Sequence, residues 1–368
     1  MKFTRTISLA LISALSVGTL VAVAEVNKAP VNRTFNIEDL TGDRNVLEAV
    51  TLENVIKTDH NSFEKVYIKN EDVLFEKTQF DLKYGVGEEI LAHKDLYRGM
   101  NYAKKLETDA ALFAVNFNSY FPYASTEPYV ELAKKDKNTD EIIKEKIMLT
   151  DISLNDQIMS EAVLEIDDTL YYCMTVGDRN GNSDKNTFRI YEINSKTLQL
   201  QIVNETEIAL TGDYANISNI VSDGEQIYTI ISNDTEYILA EFNPLTKEVE
   251  VTDIQALAEG YINYFNIDKQ SIFVQTDDSL QIIDRGTLKL VNKEAAIPSS
   301  TNDYDFVYAT EQIVKDDKVF VLYGTYSERK PSEQLLVTYS VKDGSILYEG
   351  KLPSMIDRGT GIDFSFLK

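Results

Sequence analysis

Four oxygen-bearing side chains alternate along one polar segment, and this pattern comes nearest to a metal ligand set in the sequence. Asp178, Asn180, Asn182 and Asp184 occupy every second position, and carboxylate and amide oxygens at such spacing are ligands of Ca²⁺ in loop sites. The segment departs from a calcium loop at its twelfth place, where Arg189 replaces a bidentate Glu. The same residue types also build wide hairpin loops. We therefore favour a hairpin loop and keep calcium binding as the alternative.

A short aromatic segment is the second candidate site. Tyr120, Phe121 and Tyr123 surround Pro122 in a stretch that has the composition of a loop. If these rings are exposed, they form a contact for a protein or a glycan. The rings and the proline can equally pack inside the fold, and the sequence favours that interpretation.

The remaining reactive residue types form no recognisable catalytic pattern. His60 and His93 are not spaced as a metal-binding pair. No G-x-S-x-G nucleophile motif and no phosphate-binding glycine loop occurs. Cys173 lies in an apolar run, where burial raises the pKa of a thiol and makes it unreactive. We therefore expect no cofactor except, in the alternative above, calcium.

The composition excludes several classes of partner. The chain has 36 Lys plus Arg against 60 Asp plus Glu, a formal charge of −24, which disfavours nucleic acid and anionic lipid. The 43% apolar content, with 21 Tyr and 16 Phe, is enough to form a folded core. A single Cys excludes an internal disulfide.

The N-terminus has the features of an export signal. Lys2 and Arg5 precede an apolar run, and Ala22 and Ala24 supply the small residues of a cleavage site. We predict that residues 1–24 are a signal peptide cleaved after Ala24, with an uncleaved membrane anchor over residues 6–24 as the alternative. The protein is therefore predicted to be extracytoplasmic, either secreted or anchored by this segment.

One strand-turn-strand unit recurs along the chain. Each copy has an apolar residue, a polar turn containing Asn or Asp, and Thr or Ser four positions after the apolar residue. The copies begin at Ile193, Phe242, Ile283 and Val341. An unbroken apolar run precedes each copy, as expected for a strand buried on both faces. The intervals of about 40 to 60 residues are close to those of four-stranded propeller blades.

These repeats predict an all-β fold, a β-propeller of six or seven four-stranded blades over residues 32–368, preceded by a linker at 25–31. Two degenerate units lie earlier in the chain, one from Asn70 to Tyr84 and one from Ala111 to Leu132. Phe35–Ile37 is available to complete the last blade. The charged stretch Lys134–Lys146 is predicted to be a long loop or short helix between blades.

The repeat resembles that of quinoprotein-type and related bacterial propellers over residues 160–350. In that superfamily a tryptophan docks neighbouring blades, and this chain has no Trp, so neither quinone binding nor tryptophan docking is implied. The passage from Leu40 to Leu52 also resembles the opening of secreted or membrane-anchored propeller-like proteins of Gram-positive bacteria. The resemblance implies a fold and a cellular location, with no specific activity.

Two functions remain open from the sequence. The first is a non-enzymatic propeller that binds an envelope or membrane protein, or a small ligand, at one mouth of the ring. The alternative is a hydrolase or lyase that acts on an envelope polymer through acidic residues at the propeller mouth. Acidic residues with raised pKa values converging on the axis would favour the enzyme, whereas a shallow aromatic face would favour binding.

Overall fold

The computed structural model of the protein describes residues 35–59, 62–78, 88–100, 103–118, 128–153, 156–178, 186–210, 215–233, 235–255, 257, 262–276, 279–291, 298–328, 332–353 and 364–367. The predicted signal peptide at 1–24 and linker at 25–31 lie outside these ranges. Within them, no helix is both long and apolar enough to cross a membrane.

The strands form six antiparallel sheets, which are the blades of a β-propeller. From inner to outer strand, the first blade contains Ser365–Phe366 (β25), Leu52–Asp59 (β2), Ser62–Lys69 (β3) and Asp72–Thr78 (β4). The second contains Lys104–Glu107 (β5), Ala111–Asn118 (β6), Tyr129–Asp136 (β7) and Ile142–Met148 (β8). The third contains Asp156–Ile166 (β9), Thr169–Asp178 (β10), Asn186–Ile193 (β11) and Leu200–Ile208 (β12).

The other three blades follow in chain order. The fourth contains Asn216–Ser222 (β13), Ile227–Ser232 (β14), Tyr237–Asn243 (β15) and Glu248–Asp253 (β16). The fifth contains Tyr264–Ile267 (β17), Ser271–Gln275 (β18), Leu280–Asp284 (β19) and Lys289–Leu290 (β20). The sixth contains Phe306–Lys315 (β21), Lys318–Tyr326 (β22), Gln334–Ser340 (β23), Ile346–Lys351 (β24) and Glu38–Gly42 (β1). The prediction of a β-propeller is confirmed, with six blades.

The inner strands surround the axis and define two faces of the ring. Strands β5, β9, β13, β17, β21 and β25 each contact the inner strand of a neighbouring blade. We call the end at which these strands begin the upper face, and the opposite end the lower face. Because the strands within a blade are antiparallel, each second strand ends, and each third strand begins, at the upper face.

Both ends of the described chain close the ring. β25 pairs with β2 as the inner strand of the first blade, and β1 pairs with β24 as a fifth, outer strand of the sixth. The predicted closing segment Phe35–Ile37 lies immediately before β1, and both Phe35 and Ile37 are buried in the core between the sixth and first blades. The chain therefore closes the ring with two strands.

In the described residues, helices occupy only short connections. Two α-helices, Glu88–Ala92 (α1) and Lys94–Tyr97 (α2), lie between the first and second blades. Two 3-10 helices, Arg44–Ala49 and Ser299–Asp303, precede the first and the sixth blades respectively.

The recurring turn has a single physical cause. The side-chain oxygen of Asn194 accepts hydrogen bonds from the backbone amides of Lys196 and Thr197 at 3.0 Å, and Asn243 does the same in the next blade. Such turns reverse the chain between the third and fourth strands. Asp136 makes the same bonds in the second blade, so a further copy of the unit exists.

The prediction for Lys134–Lys146 is wrong. This stretch is the hairpin between β7 and β8 of the second blade. Two of its lysines have their ammonium groups over aromatic rings of neighbouring strands, with Lys134 Nζ 5.9 Å from the centre of the Phe113 ring and Lys146 Nζ 3.5 Å from that of Tyr129.

Buried tyrosines bond to acidic side chains within their own blade or immediately before it. Four buried phenols each donate to a carboxylate: Tyr172 to Glu161 at 2.6 Å, Tyr191 to Asp151 at 2.6 Å, Tyr228 to Asp223 at 3.0 Å and Tyr348 to Asp39 at 2.5 Å. Each aromatic body fills the core and each hydroxyl satisfies a charged group at its edge.

Candidate binding site at the mouth of the axis

The predicted calcium and aromatic loops are largely outside the described residues. Asp178 is the last residue of β10, whereas Asn180, Asn182 and Asp184 lie outside the described ranges. Tyr120, Phe121 and Tyr123 also lie outside them. The strands that flank both segments end and begin at the upper face. Among the residues that are described, no three acidic, His or Cys side chains form a group that could hold a metal ion.

An exposed aromatic cluster lies at the upper face, where the inner strand of the sixth blade begins. Phe306 and Tyr308 project from the same face of β21, with ring centres 5.8 Å apart and planes within 25° of each other. Tyr326 ends β22 directly opposite Phe306. The three residues are 52%, 39% and 53% exposed, respectively. We call this cluster the aromatic platform.

A glycine determines the position of the central ring. Gly324 lies opposite Tyr308 across the two strands, and a Cβ atom there would lie 2.6 Å from Cζ of Tyr308. The Tyr308 ring therefore lies against the backbone of β22, in the space that a side chain would occupy. The Phe306 ring stacks on it, so the two rings form one exposed aromatic cluster.

Polar groups border the aromatic platform. The Asp305 carboxylate accepts hydrogen bonds from the Ser327 hydroxyl at 3.0 Å and the Glu328 amide at 2.9 Å. These bonds, with the Asp305 amide donating to the Tyr326 carbonyl at 3.1 Å, fix the ends of β21 and β22 together. The strand ends that carry the platform are therefore fixed by hydrogen bonds. Among the described residues, the hydroxyls of Tyr308 and Tyr326 have no partner and can bond to a ligand.

Two acidic residues of the inner strands, Glu311 and Glu161, are relevant to the enzymatic alternative. Glu311 of β21 accepts a hydrogen bond from the Phe366 amide of β25 at 2.9 Å, which ties the closing strand to the sixth blade. Asn219 of β13 makes an equivalent pair of bonds, at 2.9 and 3.0 Å, to the backbone of Phe265 in β17. Glu311 therefore joins two neighbouring inner strands, as the neutral side chain of Asn219 does between the fourth and fifth blades.

Glu161 of β9 is the inner-strand acid with the more unusual environment. Burial raises the pKa of its carboxyl, and the hydrogen bond from Tyr172 and the charge of Lys104 offset this only in part. The Glu161 carboxyl therefore has a raised pKa, as a general acid would require. However, it accepts its described hydrogen bond from Tyr172, which belongs to the core between the second and third blades.

We expect Glu161→Gln to stabilise the protein at pH 7 by about 1 kcal/mol, since it removes the cost of burying a charge. The folded state binds the proton more tightly than the unfolded state, so this carboxyl costs stability as the pH rises above its unfolded pKa. The gain should disappear near pH 4. Urea unfolding at both pH values measures it, with Glu165→Gln, an exposed position on the same strand, as control. Lower stability of Glu161→Gln at pH 7 would contradict the interpretation.

The remaining candidate reactive residues are Cys173, His93 and His60. Cys173 is fully buried, and burial raises the pKa of its thiol far above the normal range, in agreement with the prediction that it is unreactive. His93 precedes α2 and its Nδ1 lies 3.4 Å from Nζ of Lys135. His60 lies outside the described residues.

A concavity lies beside β1, at the start of the described chain. Its volume is about 410 Å³, and it is lined by Phe35, Asn36, Ile37, Arg44, Asn70 and Glu71. Arg44 already donates to Asp39 at 2.7 Å and to the Ile37 carbonyl. The Arg44 guanidinium in this concavity therefore holds β1.

Comparison with known proteins adds only distant structural likenesses. No family model and no curated protein matches the chain. A crystal structure of a putative 6-phosphogluconolactonase from Bacteroides uniformis is 9% identical, with a TM-score of 0.47 over 83% of each chain. Oligogalacturonate lyase from Vibrio parahaemolyticus is 16% identical, with a TM-score of 0.41 over 81% of this chain and 76% of the other.

The third likeness is of the same kind. A mutant apocarotenoid oxygenase from Synechocystis is 9% identical, with a TM-score of 0.41 over 84% of this chain and 71% of the other. Likenesses at this level of identity carry no argument about activity.

Proposed function

We propose that this protein is a non-enzymatic extracytoplasmic propeller that binds a protein or a ligand of the cell envelope at the upper face. The aromatic platform of Phe306, Tyr308 and Tyr326 is the observation that carries the proposal. Exposed aromatic clusters on a rigid scaffold are typical of contact sites. The platform also meets the criterion derived from the sequence, a shallow aromatic face at the mouth of the ring.

Two inner-strand acids, Glu161 and Glu311, support binding over catalysis. A general acid and base must both reach a substrate, whereas Glu311 holds the closing strand and Glu161 is bonded to a core tyrosine. The hydrolase or lyase is therefore the weaker candidate.

The proposed location depends on the N-terminal residues. The charged start, apolar run and small-residue site of residues 1–24 favour export, and the resemblance to bacterial extracytoplasmic propellers points the same way. Membrane contact is proposed only through residues 6–24, in the case that they are not cleaved.

Photo-cross-linking on intact cells tests this function. A photoreactive phenylalanine analogue is placed at position 306 on the upper face, and at position 245 as control. Leu245 is 89% exposed in a turn of the lower face. We expect a recurrent adduct from position 306, none from position 245, and a captured chain that begins at Glu25 and is accessible to external protease.

Two results would contradict the proposal. Equal adducts from both positions would show that the upper face has no special role. A chain that stays in the cytoplasm with Met1 intact would contradict the proposed location.

A further inference from the structure

We propose that the aromatic platform binds an uncharged oligosaccharide, with a sugar ring lying on the stacked pair of Phe306 and Tyr308. This inference rests on the proposed binding function and names the chemistry of the ligand. The argument uses the area of the platform, its shape, its hydrogen-bonding groups and the charge of the protein.

The area of the platform suits a small ligand. Its three residues are 39–53% exposed, and since an aromatic side chain offers about 150–250 Å², they present about 300 Å² together. A stable protein interface needs about 800 Å² on each partner. The platform alone therefore falls well short of a protein-binding surface, whereas it can cover one face of a disaccharide.

The shape of the platform suits sugar rings. The rings of Phe306 and Tyr308 are stacked, with planes within 25° of each other and centres 5.8 Å apart, so they form one continuous apolar cluster at the start of the strand. One face of a pyranose ring consists largely of C–H groups, and such a face stacks on an aromatic ring. An exposed ring face of the stacked pair can therefore accept a sugar.

The hydroxyls of the platform can form hydrogen bonds with the hydroxyls of a sugar. The hydroxyls of Tyr308 and Tyr326 are without a hydrogen-bond partner among the described residues, and each can both donate and accept. Sugar hydroxyls also donate and accept, and ligand sites typically combine an apolar surface with a few convergent polar groups of this kind. The carboxylate of Asp305 fixes the strand ends around them.

The charge of the protein favours a neutral sugar. A formal charge of −24 repels polyanions at long range. We therefore expect uncharged oligosaccharides to bind in preference to uronic acid polymers of the same length.

Calorimetric titration of the full chain tests the inference. The probes are maltohexaose, cellohexaose and the hexamer of N-acetylglucosamine, with hexagalacturonate as the anionic comparison. We expect at least one neutral hexamer to bind more tightly than hexagalacturonate. Phe306→Ala should weaken that binding roughly tenfold or more, because it removes half of the stacking surface. Leu245→Ala, on the lower face, should leave it unchanged.

A second variant separates the platform's geometry from its composition. Gly324→Ala keeps all three aromatic residues, but its Cβ would displace the Tyr308 ring. We expect a loss of affinity similar to that of Phe306→Ala, with thermal unfolding close to that of the unmodified protein because the ring can swing into solvent. Unchanged affinity in both variants, or preference for hexagalacturonate, would overturn the inference.

The cross-linking experiment distinguishes failure of the sugar inference from failure of the function. A protein adduct specific to position 306, with no hexamer bound, would overturn the saccharide and leave the binding function standing. No specific adduct and no hexamer binding would overturn both.

Discussion

Arg285→Met is expected to lower the free energy of unfolding by about 2–3 kcal/mol, because it leaves a buried carboxylate without its cation. Nη1 of Arg285, in the fifth blade, donates to Asp223 of the fourth at 2.7 Å. The Asp223 side chain is only 4% exposed. Nη2 donates to Gln226 at 2.9 Å and to the Tyr228 hydroxyl, and the guanidinium lies 4.9 Å from the centre of the Tyr228 ring. One side chain thus joins two blades at several points.

A neighbouring ion pair provides the control. Lys269 and Glu225 bridge the same two blades at 2.9 Å, but both side chains are more than 70% exposed. Lys269→Met should leave the unfolding midpoint in urea unchanged, since exposed pairs are screened by water and salt. Equal effects of the two variants would show that burial of Asp223 is not what makes Arg285 important.

Acid should narrow the difference in stability between the unmodified protein and Arg285→Met. Burial opposes ionisation of Asp223, but the amides of Glu225 and Gln226 and the guanidinium of Arg285 outweigh it and hold the pKa of the carboxyl below its normal value. A depressed pKa contributes stability above the unfolded value of about 3.9, and this contribution is lost as the pH falls. Urea unfolding at pH 7 and pH 3 measures this convergence.

The fold was predictable because its repeats have local causes. Three of the four copies have Asn or Asp directly after the apolar residue, at Asn194, Asn243 and Asp284, and its side-chain oxygen accepts the hydrogen bonds of the turn. The second-blade copy was missed because Lys135, not an apolar residue, precedes Asp136. The third and fourth strands of that blade carry lysines whose ammonium groups lie over aromatic rings, so an apolar pattern is not required there.

The aromatic platform was not predictable from the sequence for a different reason. Phe306, Val307, Tyr308 and Ala309 are apolar without a break, so the pattern does not show which face of the strand is exposed. The position of Tyr308 depends on Gly324 in another strand. The predicted loops of Tyr120–Tyr123 and Asp178–Asp184 stay predictions, and the strands that flank them meet the upper face. The residues of the platform could be identified only from the tertiary structure.

Closure of the ring by the N-terminal strand gives the second large expected effect. Gly42 ends β1 with a φ of +87°, and a Cβ atom there would lie 2.1 Å from the backbone oxygen of Leu347. The Leu347 carbonyl accepts a hydrogen bond from the Asp43 amide at 3.3 Å, so the close approach of the two strands depends on this oxygen staying where the Cβ atom would lie. β1 itself is exposed along its whole length, and it is held by backbone pairing and by the bonds of Asp39 to Arg44 and Tyr348.

We expect Gly42→Ala to lower the free energy of unfolding by about 3 kcal/mol or more, with backbone strain and the displacement of β1 both contributing. Gly99→Ala is the matched control, because Gly99 has a φ of +86° but no atom within 4 Å of its added Cβ. It should cost only the strain of a left-handed backbone, about 1–2 kcal/mol. Hydrogen exchange should also show faster exchange in β1 and along β24 for Gly42→Ala alone. If the two variants lose equal stability and β24 exchanges as before, the N-terminal strand is not a structural part of the closure, and β25 alone holds the ring.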